Sequence, residues 1–288
     1  MALDPRKLMA LEFPEVRHAY GWRDTVLYAL GLGLGADPID PKQLRFVYEE
    51  GLEAMPTMAN VLAHPGFWAR DLDTGIDWKR IVHGEQAMRL HEPLPVQASV
   101  IGTTRIVDIV DKGADKGAII DVERVIREAT TGRPLATLLQ SIFCRGDGGF
   151  GGTAVSKREP VKLPERPPDF TQDMPTQPQQ ALVYRLSGDL NPLHADPVIA
   201  HKAGFPQPIL HGLATFGVAG RALMERLCDG EPTRVRALQG RFSAPVYPGE
   251  TLSVDIWQDG PGRALFRVRV AAREVMAMGA GVFDYASA

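Results

Sequence analysis

Asp189, Asn191 and His194 place a carboxylate, an amide and an imidazole within six residues, in the stretch LSGDLNPLHADP at 186–197. A histidine whose pKa lies near neutrality is the usual proton shuttle, and a nearby carboxylate can share the work of holding and deprotonating a water. Five residues turn a helix through about 500°, which would put acid and imidazole on different sides. Gly188 and Pro192 argue for a loop instead, and a loop can converge them. Asn191 offers a donor and an acceptor that could orient the water or fix the loop through an Asx turn. The same residues have an ordinary reading. Gly-Asp and Asn-Pro are turn dipeptides, and Asp196-Pro197 reads as the cap and first residue of a short helix, PVIAHKAG. Spacing alone leaves both readings open.

Downstream, His211-Gly212 opens GLATFGVAGRALMERL (212–227), a helical pattern with Phe216, Ala219, Leu223 and Leu227 on one face. The first N–H groups of a helix have no intrahelical acceptor, and its dipole favours negative charge there. Gly212 has no side chain, so a ligand oxygen can approach its N–H closely. The ordinary reading is a small residue at a crowded helix start, with His211 a satisfied core or capping histidine.

The elements that must position these groups occur twice. PTMANVLAHPGFWA (56–69) reads as a Pro-started helix, with Met58, Val61, Leu62 and Phe67 or Trp68 on its apolar side. Strand patterns follow at 99–110, 118–126 and 136–143; after the second helix they recur at 252–257, 265–272 and 275–283. Pro93 and Pro245 stand at matching points, and DKGADKG (111–117) is a hairpin turn. Between the copies, residues 146–180 are dense in Gly, Pro and charge and show no periodicity. The expected organisation is an N-terminal unit at 1–150, a linker at 151–180 and a C-terminal unit at 181–288. A curled antiparallel sheet wrapped on a long helix, present twice, makes an α+β double hot-dog fold with its pocket where the halves meet. A Rossmann or barrel fold would need helices between successive strands.

Composition excludes several partners. The 288 residues are 44% apolar and 23% charged with a net charge of −3, and no Lys/Arg run tracks a nucleic-acid backbone. No apolar stretch approaches a membrane span, and the start lacks a signal-peptide core; the expected location is cytoplasmic. Cys144 and Cys228 are too few for a disulfide framework.

YRLSGDLNPLHADPVIAHKAGFPQPILHGLATFG resembles the signature of R-specific enoyl-CoA hydratases of the MaoC-like, or type-2, family. RDTVLYALGLG, LRFVYEEGLEAMPTMANVL, HGEQAMRLHEPLP, FCRGDGGFGG and FSAPVYPGETL extend the resemblance across nearly the whole chain, to the two-hot-dog form found in peroxisomal multifunctional enzyme type 2. The resemblance implies that Asp189 and His194 activate a water that adds to C3 of a trans-2-enoyl-CoA, giving the (3R)-3-hydroxyacyl-CoA. Asn191 would order that site, and the Gly212 N–H would bind the thioester oxygen. It further implies an acyl-CoA site lined by His83, Gly84, Lys112 and Phe242 together with Leu190, Pro192 and Leu193 of the loop. Their ordinary readings are a solvated turn lysine for Lys112 and core packing for Phe242. The first half has no D-x-N-P-x-x-H, so its implied role is to accommodate the acyl chain and complete the CoA groove. A homodimer and no cofactor beyond the substrate's own CoA are also implied.

Gly146, Gly148 and Gly151 match G-x-G-x-x-G after a strand, but the Pro-rich stretch beyond them offers no helix for a pyrophosphate. His194, Asp196, His201 and His211 fit no common metal-ligand spacing, so no metal is expected. A hot-dog thioesterase and a non-catalytic acyl-CoA binder are the rival readings.

Overall fold

The computed structural model describes residues 3–152 and 161–287. Its first half contributes strands β1 (Val16–Tyr20), β2 (Ile81–Leu90), β3 (Ala98–Asp111), β4 (Ala118–Glu128) and β5 (Pro134–Cys144). The second half contributes β6 (Phe170–Pro175), β7 (Val235–Phe242), β8 (Thr251–Gln258), β9 (Arg263–Val270) and β10 (Val275–Tyr285). The helices are α1 (Pro5–Met9), α2 (Trp22–Gly31), α3 (Pro41–Leu44), α4 (Trp68–Asp71), α5 (Gln180–Tyr184), α6 (Pro197–Lys202) and α7 (Gly212–Leu227).

The strands form one antiparallel sheet in the order β1-β3-β4-β5-β2-β7-β10-β9-β8-β6. Outward from the β2–β7 seam, the first half runs β2-β5-β4-β3-β1 and the second runs β7-β10-β9-β8-β6. Each strand of one half has its counterpart in the other, which is the repeat expected from the alternating strands. At the seam Gln86 pairs with Gly240 and Met88 with Leu238, so the halves are joined edge to edge into a continuous α+β sheet rather than two separate ones.

Helix α7 is buried nearly all round, including the expected Phe216, Ala219 and Leu223. That is what a helix enclosed by a curled sheet requires. It ends where Asp229 and Gly230 take positive φ values of 55° and 80°. Its two small central residues admit the first half closely: a Cβ on Gly220 would lie 2.7 Å from Thr57 Cγ2, and one on Gly217 2.5 Å from Leu32 Cδ2. The largest buried cluster therefore draws on both halves, with Met58, Leu62 and Met88 beside Phe216 and Leu223.

Two expectations are corrected. Residues 56–69 do not form a helix like α7; a 3-10 turn covers Pro56–Val61, and the chain then leaves helical geometry before α4. His64-Pro65-Gly66 explains the break, because Pro65 disfavours the α conformation at His64 and Ala63 and Gly66 adopt positive φ. The first half thus keeps its sheet but lacks a long central helix. Secondly, the stretch expected as a structureless linker contains β6 and ends on the first residue of α5. Phe170 to Pro175 pairs with β8 from Ile256 to Thr251 as an edge strand, where Pro175 can be tolerated.

The glycine-rich stretch after β5 wraps a carboxylate. Gly113, Gly149 and Gly151 donate backbone N–H bonds of 2.8, 2.8 and 2.7 Å to Asp111. These bonds, that from Gly149 foremost, hold the Asp111 carboxyl below its usual range. The N–H groups of a would-be phosphate loop are thus directed at the chain's own acid. Cys144 and Cys228 are buried and free, and burial pushes their thiols up to about 12 and about 11.

Candidate active site

The acid and the imidazole converge because the segment between α5 and α6 is a succession of tight turns. A 3-10 turn at Arg185–Ser187 ends on Gly188, whose φ of 119° needs a residue without Cβ. Asp189 follows; its Oδ1 accepts the Asn191 N–H at 3.1 Å, and Asn191 Oδ1 in turn accepts the Leu193 N–H at 3.1 Å. Asn191 thereby caps the turn Pro192–His194, the loop-fixing option of its two expected roles. Asp196 caps α6 through the Val198 N–H at 2.8 Å, so the ordinary capping reading holds as well.

His194 is 8% exposed. Its Nδ1–H donates to the Ile209 carbonyl at 2.8 Å, which leaves the lone pair on Nε2. Nε2 lies 4.0 Å from Asp189 Oδ2. That is too long for a direct hydrogen bond, but a water about 2.8 Å from each atom would subtend an angle of about 90° between them. Burial, ahead of the opposing bond to Ile209, draws the His194 pKa below its ordinary value, so the imidazole is neutral at pH 7 with a free acceptor nitrogen. The Asp189 side chain remains 49% exposed.

His211 does not behave as a satisfied core histidine. Its ring stacks on His194, with centroids 3.6 Å apart and an interplanar angle of 24°. Nε2–H donates to the Asp189 backbone carbonyl at 3.2 Å, while Nδ1 is buried without a partner. This bond ties the start of α7, with its free Gly212 N–H, to the acid loop. Burial first, and then the neighbouring His194, hold the His211 pKa down at about 4.

The opposite wall comes from the seam. The Phe242 ring meets His83 edge-on at 4.8 Å between centroids, and a Cβ on Gly212 would touch Phe242 Cε1 at 3.4 Å. Phe242 therefore bridges the two halves and is not merely core. His83 Nε2–H faces Gln86 Oε1 at 3.1 Å, and its Nδ1 faces the Gln140 amide nitrogen at 3.4 Å. Gly84 occupies the register shift between His83 and Glu85, where β2 departs from its pairing with β5. Lys112 lies exposed on the β3–β4 turn, at the sheet end where β2 starts. Leu190 is exposed and Leu193 half-buried at the rim. A cavity of about 310 Å³ runs from Leu186 and Gly188 beside the acid loop to Tyr28, Met58, Leu62 and His64 of the first half.

Known proteins resemble this chain over most of its length. Residues 18–146 match the model of the MFE-2 hydratase 2 N-terminal domain, and residues 160–279 that of the MaoC-like domain. The 3-hydroxyacyl-thioester dehydratase Y of Mycobacterium tuberculosis is 42% identical over 281 residues, covering 95% of this chain and 94% of its own. The chain belongs to the MaoC-like dehydratase family. Peroxisomal enoyl-CoA hydratase 2 of Arabidopsis thaliana is 39% identical, over 92% of this chain and 90% of that one. The crystal structure of a MaoC-like dehydratase from Phytophthora capsici superposes with a TM-score of 0.89 at 33% identity, covering 99% and 98% of the two chains.

In this MaoC-like chain the atoms that Asp189, His194 and His211 could offer a cation all lie within 4.8 Å of one another. Two of the imidazole nitrogens already donate to backbone carbonyls, of Ile209 and of Asp189. Among the described residues no helix is long and apolar enough to cross a membrane. Sequence reasoning gave His211 an ordinary reading and passed over His64, a lone histidine before a proline with no spacing signal; the structure brings in both.

Proposed function

We propose that the chain is a hydro-lyase that adds water to trans-2-enoyl-CoA to give (3R)-3-hydroxyacyl-CoA and runs the reverse dehydration. The observation that carries this reading is the 4.0 Å gap between Asp189 Oδ2 and the lone-pair nitrogen of His194. One water bridging them is held and polarised by both. Its hydroxyl bonds to C3, the proton it gives up is taken by this pair, and a proton reaches C2, so one molecule of water is accounted for. Charge then develops on the thioester oxygen. The Gly212 N–H at the start of α7 points such charge at the positive end of a helix, a contribution of about 3 kcal/mol per donor in other enzymes.

The relatives named enoyl-CoA hydratase and hydroxyacyl-thioester dehydratase support both directions of this chemistry. Phe242, His83 and Gly84 form the wall beside Gly212, Leu190, Pro192 and Leu193 the rim, and Lys112 meets a CoA phosphate. The acyl chain enters the cavity under the first half, where no long helix fills the sheet. The reaction uses no metal or other cofactor, and the enzyme works as a cytoplasmic homodimer in fatty-acid metabolism of the β-oxidation type.

The test is loss of enoyl-thioester absorbance with trans-2-enoyl-CoAs of short, medium and long chain, followed by chiral analysis of the product. Loss of absorbance with a (3R) product is expected. Constant absorbance with release of free CoA would replace the reading by a thioesterase, and binding without either change by an acyl-CoA binder.

A further inference from the structure

Strand β4 carries an anomaly on its core face. Ile120, Val122 and Ile126 point into the buried clusters, and Arg124, between them at the same period of two, is 7% exposed. Its Nη2–H donates to the Asn60 carbonyl at 2.6 Å, and its Nε–H is buried with no partner. Among the described residues no carboxylate lies within ion-pair distance of it. Across the ladder, Thr104 pairs with Arg124 and its hydroxyl is also buried without a partner. A buried guanidinium without a counter-charge is costly, and such groups are ordinarily paired.

Arg124 and Thr104 line a small cavity of about 20 Å³ together with Asn60, Gln86, Gln140 and Leu213. That volume holds about one water. His64 forms part of its wall and part of the wall of the 310 Å³ cavity beside the acid loop. Leu213 follows Gly212, and Gln86 links Asn60, through a 2.9 Å bond, to His83. The small cavity is thus a polar annex beside the larger one, with His64 common to both walls. Burial lowers the Arg124 pKa to about 9, which leaves it a cation at neutral pH.

We propose that Arg124 is a specificity-determining residue that pairs with a carboxylate at the end of the acyl chain, so that the preferred substrates are ω-carboxylated 2-enoyl-CoA thioesters. This rests on the hydratase reading above. One oxygen of the chain's carboxylate takes that one-water space and supplies the acceptor that Arg124 Nε–H and the Thr104 hydroxyl lack, while Asn60, Gln86 and Gln140 complete a polar lining. A guanidinium suits a planar carboxylate through paired N–H bonds.

The test compares initial hydration rates of the wild-type protein on matched pairs of trans-2-enoyl-CoAs, one ending in methyl and one in carboxylate, through short, medium and long chains. The carboxylated member is expected to have the higher kcat/KM at one chain length by roughly tenfold or more. Arg124→Met is expected to reverse that preference, and Arg124→Lys to restore part of it. Hydration of the methyl-ended series with no preference for the carboxylate at any length would overturn this inference and leave the hydratase reading standing. Hydration of neither series would remove both. The wild-type comparison decides the matter even where a variant does not fold, and a variant that slows both members equally would assign Arg124 to packing.

Discussion

His83 provides a pH dependence that can be worked from its surroundings. Its Nε2–H faces two acceptors, the Gln86 side chain at 3.1 Å and the Glu85 carbonyl at 3.2 Å, while Nδ1 faces the amide nitrogen of Gln140 at 3.4 Å. A second proton on Nδ1 would oppose the Gln140 donor inside a packed wall. Burial, the largest cause, lowers the pKa to about 4 from 6.5. The unfolded chain therefore takes up this proton first as pH falls, and the associated stability is complete above pH 6.5 and lost as pH falls to about 4. That gap, at 1.36 kcal/mol per pH unit, is worth about 3 kcal/mol. Urea unfolding between pH 7.5 and 4.5 should show stability falling on acidification. In His83→Gln, which cannot titrate, the fall should be shallower by about one proton, a difference of slope that survives any constant cost of the substitution. Equal slopes in the two proteins would refute the assignment of a neutral, buried His83.

Other outcomes follow from the site. Asp189→Asn should lower kcat by roughly a hundredfold or more, the scale of general acid–base catalysis, while an acyl-CoA dissociation constant from calorimetry stays within a few fold; unchanged turnover would remove Asp189 from the mechanism. Gly212→Ala places a methyl in ordinary contact with Phe242, so its Tm should not fall, yet kcat/KM should drop roughly tenfold or more because the methyl crowds the oxygen approaching the helix start. The acid limb of the pH profile for kcat/KM should lie below the ordinary histidine value of 6.5, since burial lowers the His194 pKa; a limb above it would contradict a neutral buried base. Exhaustive dialysis against a chelator should leave hydration rates unchanged, whereas loss restored by a divalent cation would make Asp189, His194 and His211 a metal centre.

What was legible in the sequence is what has a short-range signature. The alternating strands that became β3, β4, β5, β8, β9 and β10, the hairpin at 111–117 and the apolar faces of α7 were all legible, as was the turn chemistry that converges Asp189 and His194. The seam strands were not. β2 carries a register shift at Gly84 that interrupts alternation, and β7, VRALQGRF, mixes Arg and Gln with Val and Leu and carries a Gly at the seam. β6 is an edge strand in a Pro-rich stretch, with one side free of ladder bonds and no demand for β-branched residues. The helix expected at 56–69 failed because apolar periodicity outweighed a His-Pro-Gly break visible in the same residues. The importance of His211 depends on a ring stacked from another segment, which spacing cannot show. Arg124 was open to notice: a cation on the apolar period of an otherwise alternating strand.

The most direct test of a shared water on Asp189 and His194 is the fate of its oxygen. With trans-2-enoyl-CoA in water enriched in oxygen-18, mass spectrometry should find the label in the 3-hydroxyl of a (3R)-3-hydroxyacyl-CoA, with the thioester intact. Label in the carboxylate of a free acid, with CoA released, would contradict the account.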